Sequence, residues 1–238
     1  MFPNEAVRSV LYIAKRSLIC LVSSLLLMTP TRGADKSKDE ETLRNASTVL
    51  SAMLESGSIP PDLLAKADCV VVLPGVKKFG FGVGGSGGRG PMSCRGGKDF
   101  LGAWSAPAMY SVSSASVGLQ IGGSSTDFVL LVMTQKGVDA LLQGKTTLGS
   151  TATAAAGPSG ATTTSSGTDM ITYGRAKGLF AGASMGGAAL EADNDANQRL
   201  YDKAITAKDI VVENAVQATP GGQSLVSLLD SKIPKHRD

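Results

Sequence analysis

Two serines lie in the G-x-S-x-G pattern of a hydrolase nucleophile elbow, Ser184 within "GASMG" and Ser86 within "GGSGG". A serine becomes a nucleophile near neutral pH only when a base, most often histidine, takes its proton. The single histidine, His236, stands third from the end of the chain, and chain ends position side chains poorly. Because the chain holds 29 glycines, short glycine patterns are expected by chance. We therefore expect no catalytic residues and no enzyme.

The segment Gly82–Gly87 matches the G-x-G-x-x-G pattern of dinucleotide-binding loops. In that fold, a helix begins directly after the glycines and holds the pyrophosphate at its N-terminus. Here "RGPMSCRGGKD" follows, and a stretch with these glycines and this proline does not begin a regular helix. We expect a glycine-rich hairpin, with no nucleotide and no other cofactor.

An oxygen-rich stretch has the composition of a calcium-binding loop: Glu191, Asp193, Asp195 and Asn197. An EF-hand loop beginning at Asp193 would need glycine at its sixth position and glutamate at its twelfth. Those positions hold Gln198 and Ala204. Zinc lacks a ligand set too, because the chain has one histidine and no paired-thiol motif. We expect no metal site, and a solvated turn that caps the following helix.

The strongest charge asymmetry is a set of five cations within 22 residues, with Asp99 as the single neighbouring acid: Lys77, Lys78, Arg89, Arg95 and Lys98. If turns bring these side chains together, they form a site for lipid phosphates. Each cation then contributes about 1 kcal/mol near an anionic surface, and less as salt rises. The alternative is a set of solvated charges scattered over turns, and the sequence leaves both open.

The first 33 residues have the order of a secretory signal peptide: cations, an apolar run from Leu18 to Met28, then Pro30 and small residues near Gly33. We expect cleavage near Gly33, or retention as an anchor, and a periplasmic or extracellular, membrane-associated location. Residues 34–238 are then formally neutral, which gives no support for a nucleic-acid partner. Export makes a disulfide between Cys69 and Cys94 chemically accessible, and two buried thiols are the alternative.

Residues 34–238 are predicted to form a single domain, with a core over about 39–215 and a last helix at about 221–232. Residues 37–56 carry an apolar stripe at helical spacing, with Ser37 and Glu40 as a capping box. A short second helix begins at Pro60 and Pro61.

From Cys69 onward, short apolar runs broken by glycine predict successive antiparallel strands. The runs are "CVVVLPG", "KKFGFGVGG", "GPMSCRG", "FLGAW", "AMYSVSSASVGLQIGG" and "TDFVLLVMT". Residues 146–168 form either a loop or, as we favour, a thin hairpin around the turn Gly157–Gly160. The predicted fold class is α+β: N-terminal helices, a strongly bent antiparallel sheet or partly closed barrel, and C-terminal helices packed on it.

Two further stretches carry a family resemblance: "WSAPA", which begins at Trp104, and "YGRAKGLFAG", which begins at Tyr173. With the glycines around Gly84 and the Gly157–Pro158 pair, they make the chain similar to the SYLF domain family. These domains bind lipids and associate with actin in eukaryotic trafficking proteins, and they occur in many exported bacterial proteins. In the family, Ser-Leu-Glu-Gly usually follows "GLFAG". The resemblance therefore implies a structural segment around Ser184, with Gly186 where glutamate is common.

The resemblance implies a non-enzymatic lipid-binding module whose partner is a membrane surface of phosphoinositides or other anionic phospholipids. Eukaryotic relatives use a basic amphipathic N-terminal helix, whereas the equivalent helix here carries more acids than cations, and Ala161 replaces a common arginine. That helix is expected either to dock on the sheet or to insert its apolar stripe into lipid. The alternative function is a structural or protein-interaction domain whose partner is an envelope protein.

Overall fold

A computed structural model describes residues 32–148, 169–177 and 187–233, in which helices cover an antiparallel sheet of five strands. The predicted α+β class, with its strongly bent sheet, is confirmed. The contacts described below lie within the compact unit that spans Lys36–Asp238. Elements in chain order are α1 (Arg32–Glu55), α2 (Pro61–Ala65), β1 (Cys69–Cys94), β2 (Ala108–Val132), α3 (Gln135–Leu142), β3 (Lys145–Thr147), β4 (Met170–Lys177), β5 (Ala189–Ala192), α4 (Asn194–Tyr201), α5 (Ala207–Val211) and α6 (Pro220–Lys232).

Two long strands organise the sheet, because β1 pairs with β2 along almost its entire length. Strand β4 pairs with the second half of β2, β5 pairs with its first half, and β3 pairs with β5. The predicted runs therefore merge, three into β1 and two into β2, while "FLGAW" forms a connection with a 3-10 turn at Lys98–Phe100. Glycine lets one strand bend where bulkier residues would have ended it.

Strand β1 folds back on itself around residues 81–82. Three contacts between residues of its two halves show this, because the midpoint in sequence of each contacting pair is residue 81 or 82. A disulfide joins Cys69 to Cys94, with 4.0 Å between their Cα atoms. A methyl group at Gly90 would overlap the carbonyl oxygen of Val72, and one at Gly88 would lie 2.8 Å from Val76 Cγ2. Of the two expectations for the cysteines, the structure has the disulfide.

Near the disulfide the sheet is buried on both faces, so the strands there alternate between two cores. One core joins side chains from both halves of β1, including Leu73 and Met92, with α3 and α5. The other core packs the opposite face of β1, including Val70 and Val72, against α1, α2 and α6. Strands covered on both sides read as near-continuous apolar runs, as "CVVVLPG" does.

Helix α1 docks on the sheet, which decides between the two roles expected for it. Four stripe residues are at most 1% exposed: Leu43, Ala46, Leu50 and Met53. The capping box at Ser37 is wrong, because the chain is already helical at Arg32. The Glu40 carboxylate instead accepts a hydrogen bond from the N–H of Gly221 at 2.6 Å, at the first turn of α6. In the described part of the chain, no helix combines the length and apolarity needed to cross a bilayer.

Two other local predictions are confirmed. Helix α2 has Pro61 at its first position, as its sequence indicated. Helix α6 begins at Pro220, one residue before the predicted start. The signal-peptide residues before Arg32, the Gly157–Gly160 turn, Ser184 and His236 lie outside the described residues.

Candidate functional site

A bulge in β1 decides which side chains face outward near the bend. Leu73 pairs with Phe128 and Val76 with Thr126, so β1 has one residue more than β2 between these pairs. Gly75 lies within the bulge with a φ of +58°, a left-handed value that favours glycine. The extra residue reverses the alternation, so that Val76 enters the core and Lys77 turns away from it.

Asp127 on β2 holds this bulge in place. Its Oδ1 accepts a hydrogen bond from the N–H of Gly75 at 2.9 Å, and its Oδ2 accepts one from Arg175 Nη2 at the same distance. The Asp127 side chain is 1% exposed. Its two hydrogen-bond partners offset the free-energy cost of burying its charge.

Lys77, Lys78 and Phe79, together called the distal patch, lie between the bulge and the bend, and all three are exposed. Phe79 is 68% exposed, the highest value among the large apolar side chains that the structure describes. Because side chains alternate along a strand, Lys77 and Phe79 share one face and Lys78 takes the other. Their partners across β2 are small: Ser125, Ser124 and Gly123. The charge pattern of the sequence indicated the two lysines but not Phe79, whose signal was an aromatic residue next to two cations in a strand.

Arg89 joins two acidic residues. Its Nη2 lies 3.0 Å from Asp39 Oδ1, and its Nε donates to Asp193 Oδ2 at 2.7 Å. Asp39 is fully buried and also accepts a hydrogen bond from Arg199 at 2.9 Å. The guanidinium therefore ties α1 and the residue before α4 to β1, and a lipid phosphate would compete with both carboxylates for it.

Arg95 is buried, with 3% of its surface exposed. Its guanidinium carbon lies 4.5 Å from the centroid of the Trp104 ring, a cation–π contact. Burial lowers the pKa of Arg95, and the charges of Asp230 and Asp68 oppose that effect. We assign Arg95 to the packing of the sheet against α6, since a group this buried does not reach a membrane surface.

Lys98 is exposed, but it lies at the other end of the folded strand pair. It follows Arg95, whose backbone N–H donates to the carbonyl of Asp68 at 2.9 Å. Lys77 lies nine residues along β1 from Asp68, at the opposite end of the folded strand from Lys98. Arg89 lies closer to Lys77, because its neighbour Gly88 packs against Val76, but Arg89 is held by carboxylates. Of the predicted set, Lys77 and Lys78 are therefore the two adjacent cations that are exposed near the bend.

The oxygen-rich stretch forms the expected helix cap. Asp193 accepts a hydrogen bond from the N–H of Ala196 at 3.0 Å, which caps α4 and confirms that prediction. Asn197 is fully buried, and its amide side chain pairs with the backbone of Met109 through bonds of 2.7 Å and 3.3 Å. Both side chains therefore have structural roles, Asp193 as a helix cap and Asn197 as a partner of the β2 backbone.

Ser86, the described member of the two elbow patterns, pairs with another serine. Its Oγ lies 2.7 Å from Ser114 Oγ across the β1–β2 ladder. A serine hydroxyl is not a base that could activate its neighbour. The glycine-rich hairpin expected here is wrong, because the segment lies within the continuous strand β1 and pairs with β2.

A protein-family model described as "Ysc84: Las17-binding protein actin regulator" matches residues 113–232, half of the chain. The chain belongs to the Ysc84 family, also called the SYLF family. The Ysc84-family match runs from the first half of β2 to the last residue of α6, so it includes Asp127, Arg175 and Asn197. The distal patch, Arg89 and Arg95 lie before its first residue.

The chain is similar to proteins of fungi and animals. An SH3 domain-containing protein of Schizosaccharomyces pombe is 36% identical over 74% of this chain and 41% of its own length. LAS seventeen-binding protein 3 of Saccharomyces cerevisiae is 33% identical over 75% and 40%. SH3 domain-containing YSC84-like protein 1 of Homo sapiens is 30% identical over 86% and 60%.

The chain spans about two fifths to three fifths of the length of these relatives. They are therefore larger proteins that contain a domain similar to this one. No solved structure matches the chain.

Proposed function

We propose that this protein is a non-enzymatic lipid-binding module that meets anionic phospholipid at a membrane surface through the distal patch. The observation that carries the proposal is the exposure of Phe79, 68% of its surface, directly after two exposed lysines. An apolar ring that no described core covers, with cations beside it, has the composition of a membrane-contact surface.

The expected energies correspond to weak, reversible membrane attachment. Each lysine near an anionic surface contributes about 1 kcal/mol. Transfer of a phenylalanine side chain out of water contributes about 1.5–3 kcal/mol when burial is complete. Together the distal patch supplies about 4 kcal/mol, which corresponds to weak, salt-sensitive binding.

The docked helix α1 limits where lipid makes contact. Its apolar stripe is covered by the sheet and α6, so insertion of this helix would expose the second core to water. Membrane contact is therefore assigned to the distal patch.

The proposed location is outside the cytoplasm. The disulfide between Cys69 and Cys94 supports this, because such bonds persist in oxidising compartments and are rare in the cytosol. Fractionation of the native host tests the location, and recovery in the cytosol with free thiols would contradict it.

Lipid binding is tested by vesicle flotation, with protein that a bacterial expression host has exported. Wild type is expected to float with vesicles that contain phosphatidylserine and to remain below vesicles of pure phosphatidylcholine. A Lys77→Gln/Lys78→Gln double variant should bind about thirtyfold more weakly, since two contributions of about 1 kcal/mol are lost.

A matched control removes the same charge elsewhere. The Lys66→Gln/Lys98→Gln double variant loses two exposed lysines at the disulfide end of the folded strand pair. Its vesicle binding should equal that of wild type. Equal losses in both double variants would show a general charge effect, and no binding by wild type to either vesicle would end the proposal.

A protein-interaction domain is the second candidate, because one relative is named a LAS seventeen-binding protein. The connection between β1 and β2 offers a surface: Leu101 is 47% exposed, beside Asp99 and Phe100 with φ values of 56° and 55°. Strained backbone of this kind is often found at binding sites. Photo-crosslinking from position 101 in the native envelope tests it. A specific protein adduct there, with no flotation of wild type, would favour this candidate over lipid binding.

A further inference from the structure

Two of the three large apolar side chains that are exposed in the described part of the chain, Leu101 and Val212, lie at the rim of one core. Leu101 is 47% exposed and follows Phe100, which packs against the core that α3 and α5 cover. Val212 is 41% exposed and follows Val211, which is buried in the same core. Leu101 and Val212 are together called the apolar pair.

The segments that carry the apolar pair touch each other and have a fixed backbone. A methyl group at Gly96 would lie 3.2 Å from Asn214 Nδ2, which places the two segments side by side. In the first segment, the N–H of Gly102 donates to the carbonyl of Gly96 at 2.7 Å. In the second, the N–H of Ala215 donates to the carbonyl of Asp209 at 2.9 Å. A surface whose shape is already fixed loses little conformational entropy when it binds a partner.

Four charged residues accompany the apolar pair, two of each sign. Lys98 and Asp99 precede its first member and are exposed. Lys208 and Glu213 lie beside its second member, with 3.6 Å between Nζ and Oε1, and more than half of each side chain is exposed. The apolar pair and these four residues are together called the loop surface. Its formal charge is zero.

The charges of the loop surface indicate which partner fits it. Asp99 and Glu213 would be repelled by an anionic membrane. A strongly acidic or basic partner gains no net attraction from a surface of zero formal charge. A second copy of the same surface does fit, because a two-fold axis sets apolar pair against apolar pair and cations against acids. Residues 34–238 are formally neutral as well, so two copies do not repel each other at long range.

We infer that the loop surface is a contact between two copies of this chain, which associate as a weak, symmetric dimer. The inference gives a specific partner to the protein-interaction surface at Leu101, and it does not depend on lipid binding. Two apolar residues from each copy make a smaller contact than an obligate dimer has, so dimer and monomer exchange in solution. The loop surface follows Cys94 closely, at the disulfide end of β1, so the distal patch stays exposed in both copies.

Sedimentation equilibrium without lipid tests the dimer, over protein concentrations from micromolar to millimolar. Wild type is expected to change from monomer to dimer across this range. The Leu101→Ser/Val212→Ser double variant should associate about tenfold more weakly or less, since two apolar side chains of each copy leave the contact. Phe79→Ser is the matched control, because it removes an exposed apolar side chain from the distal patch. Its association should equal that of wild type.

Charge reversal tests whether the surface is complementary to itself. Lys98→Glu changes the formal charge of the loop surface from zero to −2, and Glu213→Lys changes it to +2. Each variant alone should associate about tenfold more weakly than wild type, because two like-charged surfaces then meet. An equimolar mixture of the two variants should associate at least as well as wild type. A folding defect in either variant would not be repaired by mixing.

The outcomes that would overturn the inference are distinct from those that concern lipid binding. A wild type that stays monomeric up to millimolar concentration would overturn it, and so would a mixture of the charge variants that fails to associate. Loss of the dimer in Phe79→Ser would place the contact at the distal patch instead. Photo-crosslinking from position 101 should give an adduct of two copies of this chain. An adduct with a different protein only would overturn the inference and favour the second candidate function, while vesicle flotation would be unaffected.

Discussion

The Oδ1 atom of Asp127 accepts a hydrogen bond from the backbone N–H of Gly75 at 2.9 Å, across the one-residue bulge of β1. The bulge turns Lys77 outward and Val76 into the core. Asp127→Ala removes the acceptor and leaves Arg175 without this carboxylate. We expect urea denaturation to show a loss of about 2–3 kcal/mol in the free energy of unfolding, since a charged hydrogen-bond acceptor is lost.

Asp127→Asn is the matched control, because its amide oxygen still accepts from Gly75 while the charge facing Arg175 is gone. It should recover part of the stability and most of the vesicle binding. If Asp127→Ala unfolds at the wild-type urea concentration and still binds vesicles, this side chain does not hold the bulge.

Gly90→Ala tests the folding of β1 on itself. The added methyl group would overlap the Val72 carbonyl oxygen, a backbone atom that cannot rotate away. Overpacking of this kind costs about 1–3 kcal/mol or more, so thermal unfolding should occur at a clearly lower temperature. In the control Gly87→Ala, the methyl group lies 3.8 Å from the Val112 oxygen, an ordinary contact. Equal melting temperatures for the two variants would contradict the described approach.

Cys69→Ala/Cys94→Ala opens the covalent loop that closes β1. The cross-linked loop spans 25 residues in sequence, for which chain entropy predicts a loss of about 3.5 kcal/mol in unfolding free energy. Both cysteines are fully buried, so the native protein should resist reduction until denaturant is added. Thiol counting with and without urea checks this. Rapid reduction of the native protein would contradict the buried position.

Arg89→Ala separates a structural role from a lipid-binding role. The change leaves the buried carboxylate of Asp39 with Arg199 and without Arg89. We expect a loss of about 2 kcal/mol in unfolding free energy, less than for a fully buried pair because Arg89 is partly exposed. At temperatures where the variant is folded, its flotation should equal that of wild type. Weaker flotation at unchanged stability would assign Arg89 to the lipid contact.

Asp209 makes stability depend on acid through the capping box of α5. Its carboxylate accepts hydrogen bonds from the backbone and side chain of Thr206, which lower its pKa below the ordinary 3.8. A lowered pKa in the folded state stabilises fully above the unfolded value and is lost as pH falls through the folded value. The urea midpoint of wild type should therefore exceed that of Asp209→Asn at pH 7, and the difference should shrink below about pH 4. A constant difference down to pH 2 would contradict the cap.

Much of the fold could be predicted from local pattern. The stripe of α1 was readable because Leu43, Ala46 and Leu50 recur at helical spacing, and all three are fully buried. The start of α2 followed from Pro61, and the cap of α4 from Asp193. Each of these features depends on residues within a few positions of one another, where spacing has direct geometric meaning.

The candidate site was predicted less completely. Lys77 and Lys78 were selected for their charge and do lie together on the surface. Charge alone could not separate them from Arg89 and Arg95, because the acidic partners Asp39 and Asp193 are distant in sequence. Phe79 was missed because strand periodicity does not reveal where a bulge reverses the faces.

The sequence by itself determined the family, the fold class, the start of α2, the cap of α4 and the runs able to form strands, since these depend on local chemistry. The tertiary structure alone decided that β1 folds back until Cys69 meets Cys94, and that Arg89 meets Asp39. These contacts join residues that are many positions apart in sequence, so they depend on how the sheet bends and how the helices pack on it. Their consequence is that Arg95 is buried and Arg89 is held by two carboxylates, while Lys77, Lys78 and Phe79 remain exposed.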